Sequence, residues 1–134
     1  MGRVFFNTRK NVHTLTAAYQ VLASDSGKVF MINSAGGAFN VTLPTSLEAG
    51  LMYKFISVDT TADVQILSTT DIIDIVGLDS ETDVGFSSAG TAKGKITMEL
   101  AGHKSQFVNL YCDGTSWYGE GMASVDDGIT VAAP

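Results

Sequence analysis

The sequence predicts an all-β protein: a compact antiparallel β-sandwich or barrel, jelly-roll-like in outline, with an extended N-terminal arm. Short apolar or alternating runs recur about every ten residues between turn signals, and this spacing is typical of sandwiches and barrels. Gly is frequent (14 residues) and Pro is rare (2 residues), as expected for short strands joined by tight turns. Two aromatic and β-branched runs flank Asp113-Gly114 and indicate a β-hairpin.

Length and composition limit the possibilities further. A chain of 134 residues is expected to form one domain that needs neither a disulfide nor a metal to stay folded. Charged residues make up only 16% of the sequence, against roughly 25% in ordinary globular domains. Two explanations remain open: other chains cover much of the surface, or the polar surface is rich in uncharged Gly, Ser and Thr.

Cysteine use and hydropathy indicate the compartment. Cys112 is the only cysteine, so an intrachain disulfide is excluded and we interpret the residue as a small apolar side chain in a strand. No apolar run approaches the 18 residues of a membrane span, and Met1–Asn7 lacks a signal-peptide pattern. We expect a protein that is made and used in a cytosol, or is assembled there into something larger.

Charge divides the chain into an arm, a body and a tail. Residues 1–14 hold three of the eight basic residues and none of the fourteen acidic ones, so they carry +3 while the remainder carries −9. We predict an extended arm at 1–14, a β domain at 15–123 and a loose tail at 124–134. A first strand with charged flanks is the alternative for the arm. The arm residues expected to dock on another surface are Arg3, Val4, Phe5, Phe6, Arg9 and Lys10.

The strands before residue 70 are predicted from apolar runs and from alternation of side chains. The stretch His13–Ala23 combines a helical stripe with β-branched residues and is interpreted as a short strand or extended turn. Phe39, Val41 and Leu43 alternate with polar residues, and Pro44 ends that strand. The other strands predicted here are 28–33, 64–68 and 51–59, the last of which is central or covered on both sides.

An acidic stretch follows. Seven acidic residues and no basic ones lie between Asp59 and Asp83. Dense carboxylates suggest calcium, but the stretch has no Asp-x-Asp-x-Asp-Gly loop with the glutamate of an EF-hand. Ile and Val interleave with the acids at 72–76, which indicates a half-buried strand with an acidic outer face. We predict no metal site, and binding of a cation by this stretch stays an open question.

The last third of the chain is predicted as a loop of small residues at 85–94, a strand at 95–100 and the hairpin at 106–121. Asp113-Gly114 predicts a two-residue type I′ turn within the hairpin. Trp117 and Tyr118, beside that turn, allow two interpretations. They are a core tryptophan with a rim tyrosine, or together they form a platform on which a sugar ring stacks.

The residues needed for catalysis are scarce. His13 and His103 are the only histidines, and no Cys/His cluster has the spacing of a zinc site. A Gly-x-Ser-x-Gly nucleophile elbow is also missing. We therefore predict no catalytic residue, no metal, no cofactor and no enzyme activity.

Five pieces of the sequence, taken in order, carry a resemblance to a known family. They are Gly27-Lys-Val-Phe-Met-Ile-Asn33, the Gly-rich turn after it, Phe39-Asn-Val-Thr-Leu-Pro44, the strand and turn from Tyr53 to Ile66, and Leu110-Tyr-Cys-Asp-Gly-Thr-Ser-Trp-Tyr118. This order resembles a β module of tailed-bacteriophage virion proteins, found in head decoration proteins and in fibre or spike proteins. The resemblance covers about residues 14–118.

The resemblance implies a structural virion protein, usually a homotrimer. Because a fibre or spike is normally much longer, it favours a capsid decoration, or cement, protein that binds the major capsid protein and stabilises the capsid. Such a protein sits on the outer capsid surface after assembly in the host bacterial cytoplasm. We expect no membrane partner, and the net charge of −6 opposes direct nucleic-acid binding.

Two rival functions stay open. A receptor- or glycan-binding module of a phage fibre or spike would expose Trp117 and Tyr118. A polysaccharide-cleaving fragment would pair carboxylates in a groove, and the acidic stretch at 71–83 is the place to look for them.

Overall fold

The computed structural model describes residues 11–81 and 85–134. These residues confirm the all-β prediction, because their only helical segment is a single 3-10 turn, η1 (Ala23–Asp25). They form two β-sheets that share one hydrophobic core. The strands are β1 (Val12–Leu15), β2 (Tyr19–Gln20), β3 (Val29–Asn33), β4 (Phe39–Thr42), β5 (Ala49–Asp59), β6 (Val64–Leu67), β7 (Ile73–Asp79), β8 (Gly85–Ser87), β9 (Lys95–Met98), β10 (Phe107–Asp113), β11 (Trp117–Ala123) and β12 (Ile129–Ala132).

Both sheets are mixed, so the prediction of an antiparallel sandwich is wrong. The seven-stranded sheet has the order β1-β3-β5-β10-β11-β7-β8, and the five-stranded sheet has the order β12-β9-β6-β4-β2. The first six strands alternate between the two sheets. When the chain crosses to the other sheet and then returns, the returning strand lies beside the previous strand of its sheet and runs parallel to it. The parallel pairs are β1–β3, β3–β5, β2–β4, β4–β6 and β11–β7.

Aromatic side chains fill the core between the sheets. Phe30 and Phe55 are completely buried and stack with ring centroids 5.4 Å apart. Trp117 is also completely buried and packs 5.7 Å from the ring of Tyr53. The hydroxyl of Tyr53 donates to the carbonyl of Leu22 at 2.8 Å, and burial raises the pKa of Tyr53 to about 12. The contact between Trp117 and Tyr53 links β11 with β5 across β10, which lies between these two strands.

The ends of the β domain differ from the prediction. Strand β1 overlaps the end of the predicted 1–14 arm and pairs with β3 from Val12 to Leu15, while residues 1–10 of that arm lie outside the described residues. The tail predicted as loose at 124–134 contains β12, which pairs with β9. Ile129 is buried in the core, so both strand pairing and burial hold this part of the tail against the β domain.

The predicted hairpin is present, but its turn is not of the predicted type. Strand β10 ends at Asp113, whose amide donates to the Ser116 carbonyl at 3.2 Å. Gly114 has a positive φ but Thr115 does not, whereas a type I′ turn needs a positive φ at both central residues. The carboxylate of Asp113 accepts from the backbone amides of Thr115 and Ser116, each at 2.8 Å, and these bonds stabilise the observed turn.

Candidate interaction surface

One face of the seven-stranded sheet points away from the core, and we call it the outer face. Side chains alternate between the two faces of a strand, and residues paired across strands share a face. The register therefore arranges the outer face in three rows that cross the strands in sheet order. The rows are Thr14–Met31–Ile56–Phe107–Met122–Leu78, then Val12–Val29–Lys54–Asn109–Glu120–Val76, and then Met52–Tyr111–Tyr118–Asp74.

The outer face is unusually apolar for a surface that meets solvent. A sandwich strand normally alternates core residues with polar outward residues, but here the outward positions are mostly Met, Val, Ile, Leu, Phe and Tyr. Most of the large apolar side chains exposed among the described residues lie on this face, and Leu22 and Leu100 are the two that do not. Those on the face are Val12, Met52, Val76, Leu78, Tyr111, Tyr118 and Met122. Because large exposed apolar patches are characteristic of interaction sites, the outer face is the candidate interaction surface of this chain.

Two charged residues lie in the middle row. Lys54 and Glu120 flank Asn109 on the neighbouring strands. The Lys54 ammonium lies 4.6 Å above the ring centroid of Phe107, and the Tyr111 hydroxyl donates to Glu120 Oε1 at 3.2 Å. Partial burial and this hydrogen bond raise the pKa of Tyr111. Neither charge has an ion-pair partner within residues 11–81 and 85–134, so both are available to a partner.

The structure separates the two aromatic residues predicted beside the hairpin turn. Trp117 has 0% of its surface exposed and belongs to the core, whereas Tyr118 is 48% exposed on the outer face. A sugar platform made by both rings is therefore not formed. The exposed aromatic neighbour of Tyr118 is Tyr111, directly across the hairpin. Sequence reasoning missed Tyr111, although strict alternation along β10 from the buried Val108 would have placed it outward.

The other predicted docking residues are Arg3, Val4, Phe5, Phe6, Arg9 and Lys10, and all of them lie outside the described residues. The first described residue, Asn11, sits beside the edge of the seven-stranded sheet, where its carbonyl accepts from the Val29 amide at 2.9 Å. The 1–10 segment is thus attached at the β1 edge of the sheet that carries the outer face.

The acidic stretch places Asp74 and Asp79 on opposite faces of β7. Asp74 lies on the outer face and accepts from the Ser88 hydroxyl at 3.1 Å. Asp79 is five positions along the same strand, on the opposite face, and is buried. Asp83 lies outside the described residues. Within the parts of the chain that are described, no three His, Cys, Asp or Glu side chains are grouped as metal ligands.

Comparisons with known proteins add no family. No protein-family model matches the chain, and no curated protein matches it with significant similarity. Within residues 11–81 and 85–134, no helix has both the length and the hydropathy that a membrane span requires.

Proposed function

We propose that this chain is a structural virion protein that binds the outside of a bacteriophage capsid as a decoration, or cement, protein and stabilises it. The observation that carries the proposal is the outer face, an apolar sheet surface left open to solvent. Such a surface is costly for an isolated protein, because it favours non-specific association. It becomes useful when the protein acts by adhering to other chains, and a role in catalysis is not part of this proposal.

The proposal depends on the summed burial of weak contacts. A stable protein–protein contact buries about 800 Å² of accessible surface on each partner. Several copies joined together attach to a shell at several points, and each further attachment benefits from the high effective concentration that the first creates. The homotrimer that the sequence resemblance implies would provide three such points. The low charge content of 16% reduces the desolvation cost of these contacts.

We assign contact with the major capsid protein to the basic arm. Phe5 and Phe6 supply large apolar groups of the kind that dominate interface energetics. Arg3, Arg9 and Lys10 supply charge that steers the arm toward an acidic partner and raises its association rate. In this arrangement the β domain provides self-association, and the arm provides attachment to the outer capsid surface.

The test combines native mass with binding to capsids that lack the protein. Deletion of residues 1–10 should leave a folded oligomer of unchanged subunit number that no longer sediments with these capsids. A matched control replaces only Arg3, Arg9 and Lys10 with Gln. Because it keeps Phe5 and Phe6, this variant should still bind at low salt but associate more slowly. Unchanged capsid binding after the deletion would contradict the role of the arm, and failure of the intact protein to bind would contradict decoration.

A glycan-binding module of a fibre or spike is a second candidate, favoured by one observation. Tyr111 and Tyr118 are both exposed, and Tyr111 lines a depression of about 210 Å³ together with Met52 and Asn109. Exposed rings beside an amide are suited to stacking and hydrogen bonding with a sugar. A glycan array with the purified protein tests this candidate. A hit that survives Tyr111→Ala would have to bind elsewhere.

A further inference from the structure

The geometry points to a second copy of this chain as the occupant of the outer face, packed around a rotation axis that lies above this face and runs parallel to β10. The inference rests on the proposed function only in taking this face as the self-association surface. Strand β10 is the middle strand of the seven-stranded sheet, with three strands on each side. A rotation about an axis above the outer face and parallel to this strand brings the β5 side of one copy against the β11 side of the next.

The two charges of the middle row carry the argument. Lys54 lies one strand to one side of Asn109, and Glu120 lies one strand to the other side. Rotation about this axis exchanges these sides. Lys54 of one copy therefore meets Glu120 of the second copy, while Asn109 meets Asn109. An amide carries both donors and an acceptor, so it can pair with its own copy. The symmetry alone therefore places opposite charges together, and two identical chains are sufficient to form the ion pairs.

The apolar rows match under the same rotation. In the first row Ile56 faces Met122 of the second copy, and Met31 faces Leu78. In the third row Met52 faces Tyr118. Each pair joins apolar or aromatic side chains. Around a two-fold axis the two sheets would stack face to face at about 10 Å, as in ordinary sandwiches, and around a three-fold axis the faces would meet at an angle. The outer face is thus complementary to itself about this axis.

The size of the face is sufficient for such a contact. Five strands spaced about 4.8 Å apart and roughly seven residues long cover a projected area of roughly 500–600 Å². Accessible area exceeds projected area because side chains protrude, so the face approaches the roughly 800 Å² per partner of a standard interface. The 1–10 segment fits less well as occupant, because it contains no acidic residue to pair with Lys54.

Charge reversal tests the axis. Lys54→Glu and Glu120→Lys each place like charges together, and each should raise the dissociation constant of the oligomer at least about tenfold. The double variant restores opposite charges and should recover most of the association. It also loses the contacts of Lys54 with Phe107 and of Glu120 with Tyr111, so those losses cannot explain a recovery. Lys95→Glu on the five-stranded sheet is the matched control and should associate like the unmodified protein.

A mixture of the two single variants distinguishes a two-fold from a three-fold axis. Around a two-fold axis, one copy of each variant forms only opposite-charge contacts, so mixing rescues association. Around a three-fold axis, an odd ring always keeps one like-charge contact, so only the double variant is rescued. Both outcomes support the axis parallel to β10. Native mass spectrometry and sedimentation equilibrium measure the result, and circular dichroism verifies that each variant is folded.

Three outcomes would overturn the inference. The single variants could associate as tightly as the unmodified protein, or the double variant could associate no better than the singles. Loss of self-association after deletion of residues 1–10 would show that the arm occupies the face. If instead the intact protein binds capsids and associates while the charge variants have no effect, the axis is wrong and the decoration role stands. A protein that neither associates nor binds capsids would contradict the proposed function itself.

Discussion

Asp25 is a buried carboxylate that holds the chain between β2 and β3. It accepts from the Leu22 amide at 2.9 Å and the Tyr19 hydroxyl at 3.0 Å, and its other oxygen pairs with the Lys28 ammonium at 2.6 Å. Burial raises the pKa of Asp25, but the hydrogen bonds from Lys28, Leu22 and Tyr19 outweigh it and leave the pKa below the ordinary value. The charged form is therefore the one that stabilises the fold.

We predict that Asp25→Asn lowers the free energy of unfolding by about 1–2 kcal/mol at neutral pH, because the ion pair and charge-assisted hydrogen bonds are lost. A depressed folded pKa adds stability above the unfolded value of about 3.9 and loses it as the pH falls through the folded value. The difference between Asp25→Asn and the unmodified protein should therefore shrink as the pH falls below the unfolded value toward the lower folded value. Urea titrations at several pH values measure it. The exposed Asp126→Asn is the control, and an equal effect there would refute the assignment.

The adjacent residues Trp117 and Tyr118 should respond to substitution in opposite ways. Trp117→Ala opens a cavity in the core and should cost about 3–5 kcal/mol. Tyr118→Ala removes an exposed ring and should cost at most about 1 kcal/mol in the free energy of unfolding, while it weakens self-association. Denaturant titration at low protein concentration measures the free energy of unfolding of both variants, and sedimentation measures self-association. Similar costs for both variants would contradict their placement on opposite faces of β11.

Among the elements, the β10–β11 hairpin has the most specific turn chemistry. Gly114 has φ of 101° and lies close to the backbone of Ala49. We predict that Gly114→Ala costs about 1–2 kcal/mol, because an L-residue is strained at this φ. Gly36→Ala is the matched control, since Gly36 has an ordinary φ and open space around it. It should be neutral or stabilising by up to about 1 kcal/mol. Thermal denaturation of both variants checks the prediction, and equal losses would exclude strain as the cause.

The pattern of apolar residues along the chain, alternating or continuous, predicted most strands, because it depends only on which side chains are buried. It located β3, β4, β5, β6, β9 and the hairpin. It could not distinguish parallel from antiparallel neighbours, since both give the same period of two and only the crossing of the chain between sheets decides. It also missed β12. The run Ile129-Thr130-Val131 is short, and it is held by pairing with β9 and by burial of Ile129.

The interaction surface was less predictable than the strands. Sequence reasoning located its candidates at the arm and at Trp117 and Tyr118, where aromatic residues are adjacent in the chain. The outer face instead collects residues from strands that are distant in sequence, such as Met31, Ile56 and Leu78. The strand order and register bring them together, and neither can be derived from local patterns. Low charge content was the one global signal of a covered surface.

For the whole molecule, we expect the stability of the fold to depend on association, because copies that bind through the outer face bind only in the folded state. A partner that binds only the folded chain stabilises it by mass action, so the melting temperature rises with concentration. The two sheets differ in this respect, because the exposed apolar side chains cluster on the seven-stranded one. Association should depend on residues of that sheet and should be insensitive to equally apolar residues elsewhere.

Leu78 and Leu100 provide a matched pair for this test. They are 54% and 57% exposed, but Leu78 lies on the outer face and Leu100 lies in the turn after β9. We predict that Leu78→Lys abolishes the rise of the melting temperature with concentration and lowers the sedimentation coefficient to that of a single chain. Leu100→Lys should keep both properties, because an exposed leucine outside the interface contributes within about 0.5 kcal/mol. Loss of association in both variants, or in neither, would mean that the outer face is not the surface through which copies meet.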